Sequence, residues 1–278
     1  MLQILSGFGF ITGVSYPLRS LALLGRTPRL WNYLIMPILV NVVVGIILYA
    51  GLLIPSLHAT DSLEMKLSNW LEAILTNLPT WLGFLRFLAT GIDFLLDLLL
   101  IGLLFFITGF LLVQFGTLLG APWYGQLSEQ LEELRTGQIK IVEVGIVRDI
   151  GRAILFELKK LVLALVVGLP LLVLNFLPGV GTTVATVGGF MLTATIICLD
   201  FLDGPSERRR FSFRKKLAIV FGSLPASAGF SIVCMALVSL PLLNLVTIPL
   251  CVASGTLFWC DRVLPTLAQS SSQSKMKA

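Results

Sequence analysis

Charged residues are scarce in this sequence. Asp, Glu, Lys and Arg make up only 13% of its 278 residues, whereas hydrophobic residues make up 56%. The mean hydropathy is +0.94, which lies far from the average of soluble proteins. The apolar runs are too long and too numerous to be buried in one soluble core. The composition therefore predicts an integral membrane protein.

Sequence motifs for catalysis are also missing. The chain has no GxxxxGK[ST] phosphate loop, no GxSxG nucleophile motif and no HExxH zinc motif. The only histidine, His58, stands in a polar linker, and the cysteines have no CxxC spacing. We therefore expect no enzyme, no metal, no cofactor and no ATP hydrolysis within this chain. We expect the cysteines to be packing residues: Cys198, Cys234, Cys251 and Cys260.

Two apolar runs, residues 33–55 and 98–119, are each long enough to cross about 30 Å of hydrocarbon as a helix. The segment between them, 56–87, mixes leucine and tryptophan with charges and is typical of an amphipathic interfacial helix. The first residues lack the features of a signal peptide and predict a short amphipathic helix that ends at Ser15–Pro17.

Shorter apolar runs predict two helical hairpins. Residues 161–177 and 182–198 form the first, and residues 217–239 and 242–260 form the second. Runs of roughly 17 residues are at the lower limit for a full crossing, so the depth of insertion stays open. The turn of the first hairpin contains Pro178, Gly179 and Gly181. These residues could allow close helix packing, or they could line an ion path.

We predict one membrane domain, residues 1–265. The polar residues 266–278 are expected to form a disordered tail. Residues 125–160 are expected to face water, with one short amphipathic helix between Pro122 and Gly137. Lys and Arg concentrate in the segments on one side of the predicted spans, which predicts that both termini are cytoplasmic. The basic residues carry no aromatic-basic stripe, so no nucleic-acid partner is expected.

Two basic stretches have alternative interpretations. Before the first span, Arg26 and Arg29 flank a helix start at Thr27 and Pro28, where an anion could bind; the same arginines could simply anchor the helix. A later cytoplasmic cluster could bind anionic lipid or concentrate a dianion by its field. Its members are Arg208, Arg209, Arg210 and Arg214.

Several stretches together resemble the CysZ family of bacterial sulfate permeases, which includes the etoposide-induced proteins of the endoplasmic reticulum. They are "LIMPILVN", "APWYGQLSEQLEELRTG", "FLPGVGTTVA", "LDFLDGPSERRRFSFRKK" and "LPLLNLVTIPLCVASGTLFW". The resemblance implies an all-α membrane fold with two long transmembrane helices, two shorter hairpins that are partly inserted, and assembly as a homo-oligomer. It also implies passive sulfate uptake for cysteine synthesis across the bacterial inner membrane.

The family's anion site is a Gly-x-Arg-Arg pattern just before the first membrane helix, and this sequence departs from it. Aligned from "MPILVN" backwards, the glycine position is Arg29 and the arginine positions are Trp31 and Asn32. We therefore expect the anion, sulfate or a related oxyanion, at Arg26, Arg29, the N–H groups near Leu30, and Asn32. The alternative hypothesis is a non-transporting membrane protein that organises partners or anionic lipid through its basic cytoplasmic loops.

Overall fold

The computed structural model describes the parts of the chain that follow: 7–48, 50–51, 54–56, 58, 65–66, 69–70, 91, 95, 98–99, 101–104, 106–107, 120, 122–139, 141–142, 145–177, 179–240 and 244–269. These residues are helical or in turns, without a β-strand among them. The predicted second long span, 98–119, and the interfacial segment, 56–87, lie mostly outside the described residues, and so does the tail beyond residue 269.

Eight α-helices are defined here. They are α1 (Gly7–Arg26), α2 (Trp31–Leu48), α3 (122–136), α4 (Ile146–Leu174), α5 (Gly181–Arg208), α6 (Phe213–Gly222), α7 (Ala226–Val238) and α8 (Asn244–Phe258). A 3₁₀ turn, Pro28–Leu30, precedes α2, and a π-helical turn, Trp259–Val263, follows α8. Residues 264–269 are again helical.

The chain divides into two compact units. One comprises Met1–Ile35 and Pro122–Ala278, and the other comprises Met36–Ala121. The first unit contains the core, to which α1 and each helix from α3 to α8 contribute buried residues. At its centre, the ring of Phe258 lies 5.1 Å from that of Tyr16 and 5.4 Å from that of Phe230. All four cysteines are free and buried, which confirms the expected packing role.

Two helical stretches of the described chain are long and apolar enough to cross a membrane: Pro28–Leu48 and Gly181–Arg208. The first confirms the predicted span near the N-terminus. The second is longer than the apolar run from which it was predicted, 182–198, because the helix continues through the charged residues that follow. Likewise, α4 begins at Ile146 rather than at residue 161, so residues 146–160 of the segment expected to face water belong to this helix.

The first predicted hairpin is present, with α4 and α5 packed against each other. Gly179 lies in its turn with φ +90°, a conformation that suits glycine. Gly181 begins α5 so close to α4 that a Cβ there would lie 1.9 Å from the carbonyl oxygen of Leu174. Both glycines therefore have a structural role in the turn, and Pro178 lies outside the described residues.

The second predicted hairpin differs from expectation in its first arm. Residues 217–239 do not form one helix, because α6 and α7 meet at an angle of 103° around Ser223–Pro225. Pro225 has no N–H to continue the helical hydrogen bonds, which explains why the break falls there. The pair would supply a third membrane crossing if it acted as one bent span. At the other end of the chain, α1 also departs from expectation, since it continues past Pro17 to Arg26.

Candidate anion-binding site

The predicted site lies at the corner where α1 passes into α2. The helix α1 ends at Arg26, and the chain reaches α2 through Thr27 and the turn Pro28–Leu30. Pro28 occupies the first position of the turn, as predicted, whereas the Thr27 side chain makes no capping hydrogen bond. The helix start therefore lies where it was predicted, but no hydroxyl group caps it.

Two apolar residues anchor this corner to the core. Leu30 is fully buried and Leu24 is almost fully buried. The indole Nε1 of Trp31 donates a hydrogen bond of 2.8 Å to the carbonyl oxygen of Leu24, which satisfies one of the last carbonyls of α1. Apolar packing and one side-chain hydrogen bond therefore stabilise the corner.

The backbone N–H of Leu30 donates to the carbonyl oxygen of Thr27 at 3.0 Å. The 3₁₀ turn therefore already uses this donor, and the binding of an anion by the N–H groups near Leu30 stays a prediction. The buried side chain of Leu30 has a packing role instead.

The polar side chains of the corner point outward. Arg26, Arg29 and Asn32 are exposed. Within the described part of the chain, no carboxylate lies within ion-pair distance of Arg26 or Arg29. Two guanidinium groups without a counter-ion, three residues apart in the chain, carry the kind of charge that a doubly charged oxyanion attracts.

The later basic cluster has a different environment. Glu132 on α3 is fully buried and accepts from Arg208 Nη2 at 2.6 Å and from Arg209 Nη2. Arg208 Nη2 also donates to Ser128 Oγ at 3.1 Å, and Arg209 lies over the ring of Trp259. One carboxylate on α3 therefore binds both arginines at the C-terminal end of α5.

Further ion pairs join α4 and α5 to the start of α6. Arg210 pairs with Asp149, and Arg152 pairs with Glu207 at 2.5 Å. Lys216, which is almost fully buried, contacts Glu207 at 2.7 Å and also pairs with Asp203. The network matches each of six cations with a carboxylate: Arg152, Lys160, Arg208, Arg209, Arg210 and Lys216 with Glu132, Asp149, Glu157, Asp200, Asp203 and Glu207.

The network changes the interpretation of the basic cluster. Three of its four arginines, Arg208, Arg209 and Arg210, are already neutralised by carboxylates of the same chain. Arg214 is the exception, since it is exposed and has no carboxylate within ion-pair distance in the described structure. The field expected from this cluster is therefore much reduced.

The cations of the network on α4 stay charged at neutral pH. Burial disfavours the charged form of Lys160, but Asp200 and Glu157 stabilise that form by more, so the pKa of Lys160 is raised. The hydrogen bond to Glu207 raises the pKa of Arg152. Neither residue is poised to lose its proton, which argues for a structural role rather than proton transfer.

Sequence reasoning missed Glu132, because α3 was expected to face water along most of its surface. A signal was nevertheless present. Glu132 lies four residues after the buried Ser128, so the two share a helix face, and that face adjoins the buried Leu127 and Leu131. A carboxylate on the apolar stripe of an amphipathic helix needs a buried cationic partner.

Comparison with known proteins identifies the family. Residues 16–249 match the family described as sulfate transporter CysZ/etoposide-induced protein 2.4. A protein of Pectobacterium atrosepticum named sulfate transporter CysZ is 30% identical over 238 residues, which cover 84% of this chain and 80% of the relative. A sulfate transporter CysZ of Salmonella typhimurium is 30% identical over 236 residues, 84% of this chain and 86% of the relative. The chain belongs to this family of membrane transport proteins.

Proposed function

We propose that this member of the sulfate transporter CysZ/etoposide-induced protein 2.4 family is a permease for sulfate, or for an oxyanion of the same shape and charge. The name of the relatives supports sulfate as the substrate. Passive transport is supported by the absence of a phosphate-binding loop from the sequence. The apolar helices and the family support a membrane location, which we propose to be the bacterial inner membrane.

The observation that carries the proposal is the contrast between two groups of arginines. Arg208, Arg209 and Arg210 are paired with carboxylates, whereas Arg26 and Arg29 are exposed at the start of a membrane helix without such a partner in the described chain. A carboxylate beside Arg26 or Arg29 would compete with an anionic substrate. Its absence from the described surroundings leaves both guanidinium groups available for a dianion.

The same contrast disfavours a protein that organises partners through its basic cytoplasmic loops. An arginine that is already neutralised by a carboxylate of its own chain attracts an acidic partner less strongly. We propose in addition that both termini are cytoplasmic, on the strength of the lysine and arginine bias, and that the chain works as a homo-oligomer, as the family resemblance implies.

The test is flux of radiolabelled sulfate into liposomes that contain the purified protein. We expect flux above that of empty vesicles, and we expect the double variant Arg26→Ala/Arg29→Ala to lose at least about tenfold, because two charge-assisted hydrogen bonds are removed. Arg148→Ala is the matched control, since Arg148 is exposed on α4 and makes no ion pair within the described chain.

The two parts of the proposal fail separately. Wild-type flux equal to that of empty vesicles would contradict sulfate transport. Wild-type flux that the double variant retains in full, at equal protein content, would leave transport standing and remove the α1–α2 corner as the anion site.

A further inference from the structure

A cavity of about 370 Å³ lies between four helices of the first unit. The lining residues include Leu163 and Val167 from α4, Leu217 and Phe221 from α6, and Ala228 and Ile232 from α7, and α5 closes the remaining side. The bend of 103° between α6 and α7 places both arms around the cavity, and each arm contributes lining residues. Its volume lies within the range of small-molecule sites.

The hydroxyl groups that line this cavity are already satisfied. Thr195 donates to the carbonyl oxygen of Met191 at 2.8 Å, Ser227 to that of Val220 at 2.7 Å, and Ser231 to that of Ala228 at 3.1 Å. A ligand in the cavity therefore meets hydrocarbon surface. A sulfate ion would find no hydrogen-bond donor among these lining residues to replace its water, so the cavity is unsuited to the proposed substrate.

The rim of the cavity is open and apolar. Met191 is 64% exposed, Phe221 is 54% exposed, and Phe190 and Leu224 are also exposed. Because α5 is long and apolar enough to span a membrane, we expect these side chains to face lipid rather than water. A lipid chain can enter the cavity from the bilayer without crossing a polar layer.

A cation on α6 stands beside the cavity. Arg214 precedes the lining residues Leu217 and Phe221 by three and seven positions, which places all three on the same helix face. Arg214 is exposed, and no carboxylate of the described chain lies within ion-pair distance of it. It lies in the first turn of α6, where the helix dipole also favours an anion.

We propose that this cavity, with Arg214 at its rim, is a binding site for one anionic phospholipid. An acyl chain lies along Leu217 and Phe221, and the phosphate binds the guanidinium of Arg214. The occupant is a lipid rather than a segment of protein because the site combines an apolar cavity with an exposed arginine at one end that pairs with no carboxylate of the described chain. That arrangement complements the charge and shape of a phospholipid with a negative headgroup.

The experiment measures bound lipid on the full-length purified protein by native mass spectrometry. The probes are phosphatidylglycerol and phosphatidylcholine with identical acyl chains. We expect phosphatidylglycerol to bind about tenfold more tightly than phosphatidylcholine, and we expect Arg214→Ala to remove this preference, because a charge-assisted contact to the phosphate is lost. Arg148→Ala, which removes an exposed arginine of α4, should leave the preference unchanged.

A second variant tests the cavity itself. Ala228→Phe places a large side chain into the lining, and we expect it to reduce binding of both lipids severalfold. Val166→Phe is the matched control, because Val166 is 66% exposed on α4 and does not line the cavity.

Three results would overturn the proposal. The first is equal binding of the two lipids to the wild type, and the second is an unchanged preference in Arg214→Ala. The third is lipid binding that Ala228→Phe leaves intact. If the oligomeric mass changes in that variant as well, the cavity would be assigned to a second copy of the chain.

Discussion

The variant Glu132→Ala should lose about 3–5 kcal/mol of stability, because it leaves two cations without their carboxylate in a buried place. Glu132 is fully buried, and the side chains of Arg208 and Arg209 are each only 9% exposed. Neither guanidinium can reach bulk water without displacing packed residues. A lower apparent Tm in detergent, followed by tryptophan fluorescence or by size-exclusion recovery after heating, measures the loss.

Two further variants separate charge pairing from helix propensity. Glu133→Ala removes a carboxylate from the next position of α3, where the side chain is exposed, and we expect an almost unchanged apparent Tm. Replacing Glu132, Arg208 and Arg209 together by apolar residues of similar size should recover most of the stability, because no uncompensated charge remains. A Glu132→Ala protein as stable as Glu133→Ala would contradict the role assigned to this ion-pair cluster.

The second large effect is expected where α1 crosses α7. A Cβ at Gly13 would lie 2.0 Å from the carbonyl oxygen of Ala226, and a Cβ at Gly229 would lie 2.3 Å from that of Phe10. Both obstacles are backbone atoms and cannot rotate away. We expect Gly13→Ala and Gly229→Ala each to cost about 1–3 kcal/mol or more, since the helices must separate to accept the methyl group.

The same helix offers a control. A Cβ at Gly25 would have no neighbouring atom within 4 Å, so Gly25→Ala should be neutral or stabilising by up to about 1 kcal/mol, as helix propensity dictates. The same chemical change is thus expected to have opposite signs at two sites of α1. Equal apparent Tm values for Gly13→Ala and Gly25→Ala would contradict the close crossing.

Much of the fold was predictable from local pattern. The first hairpin follows from two apolar runs around "PGVG", and Gly179 adopts the positive φ that the turn requires. The helix from Pro122 to the residue before Gly137 also agrees with its start and stop signals, and Gly137 has φ +70°. These features depend on residues close together in the chain, which is why the sequence shows them.

Helix length was predicted less well. Hydropathy ended the hairpin helices near Leu161 and Cys198, whereas α4 begins at Ile146 and α5 continues to Arg208. The charged residues of these extensions are stabilised by each other, as in the ion pair of Lys160 with Asp200, which are 40 residues apart. A hydropathy pattern records the charge of each residue and contains no information on its partner.

The candidate site was also predictable only in part. The corner at Arg26 and Arg29 was predicted from a helix start beside basic residues, and the structure has that corner, with both arginines exposed. The predicted contribution of the N–H groups near Leu30 stays a prediction. The amino-acid pattern showed where the turn begins, and the 3₁₀ geometry decided that the Leu30 N–H donates to Thr27.

The sequence by itself determined the class of this protein, its family and the position of its first helical hairpin, because hydrophobicity and turn chemistry act over a few neighbouring residues. Only the tertiary structure decided which arginines are available to a ligand. Arg208 and Glu132 are 76 residues apart in the chain and meet at 2.6 Å. Whether a cation is free or paired depends on distances between helices, and folding sets those distances.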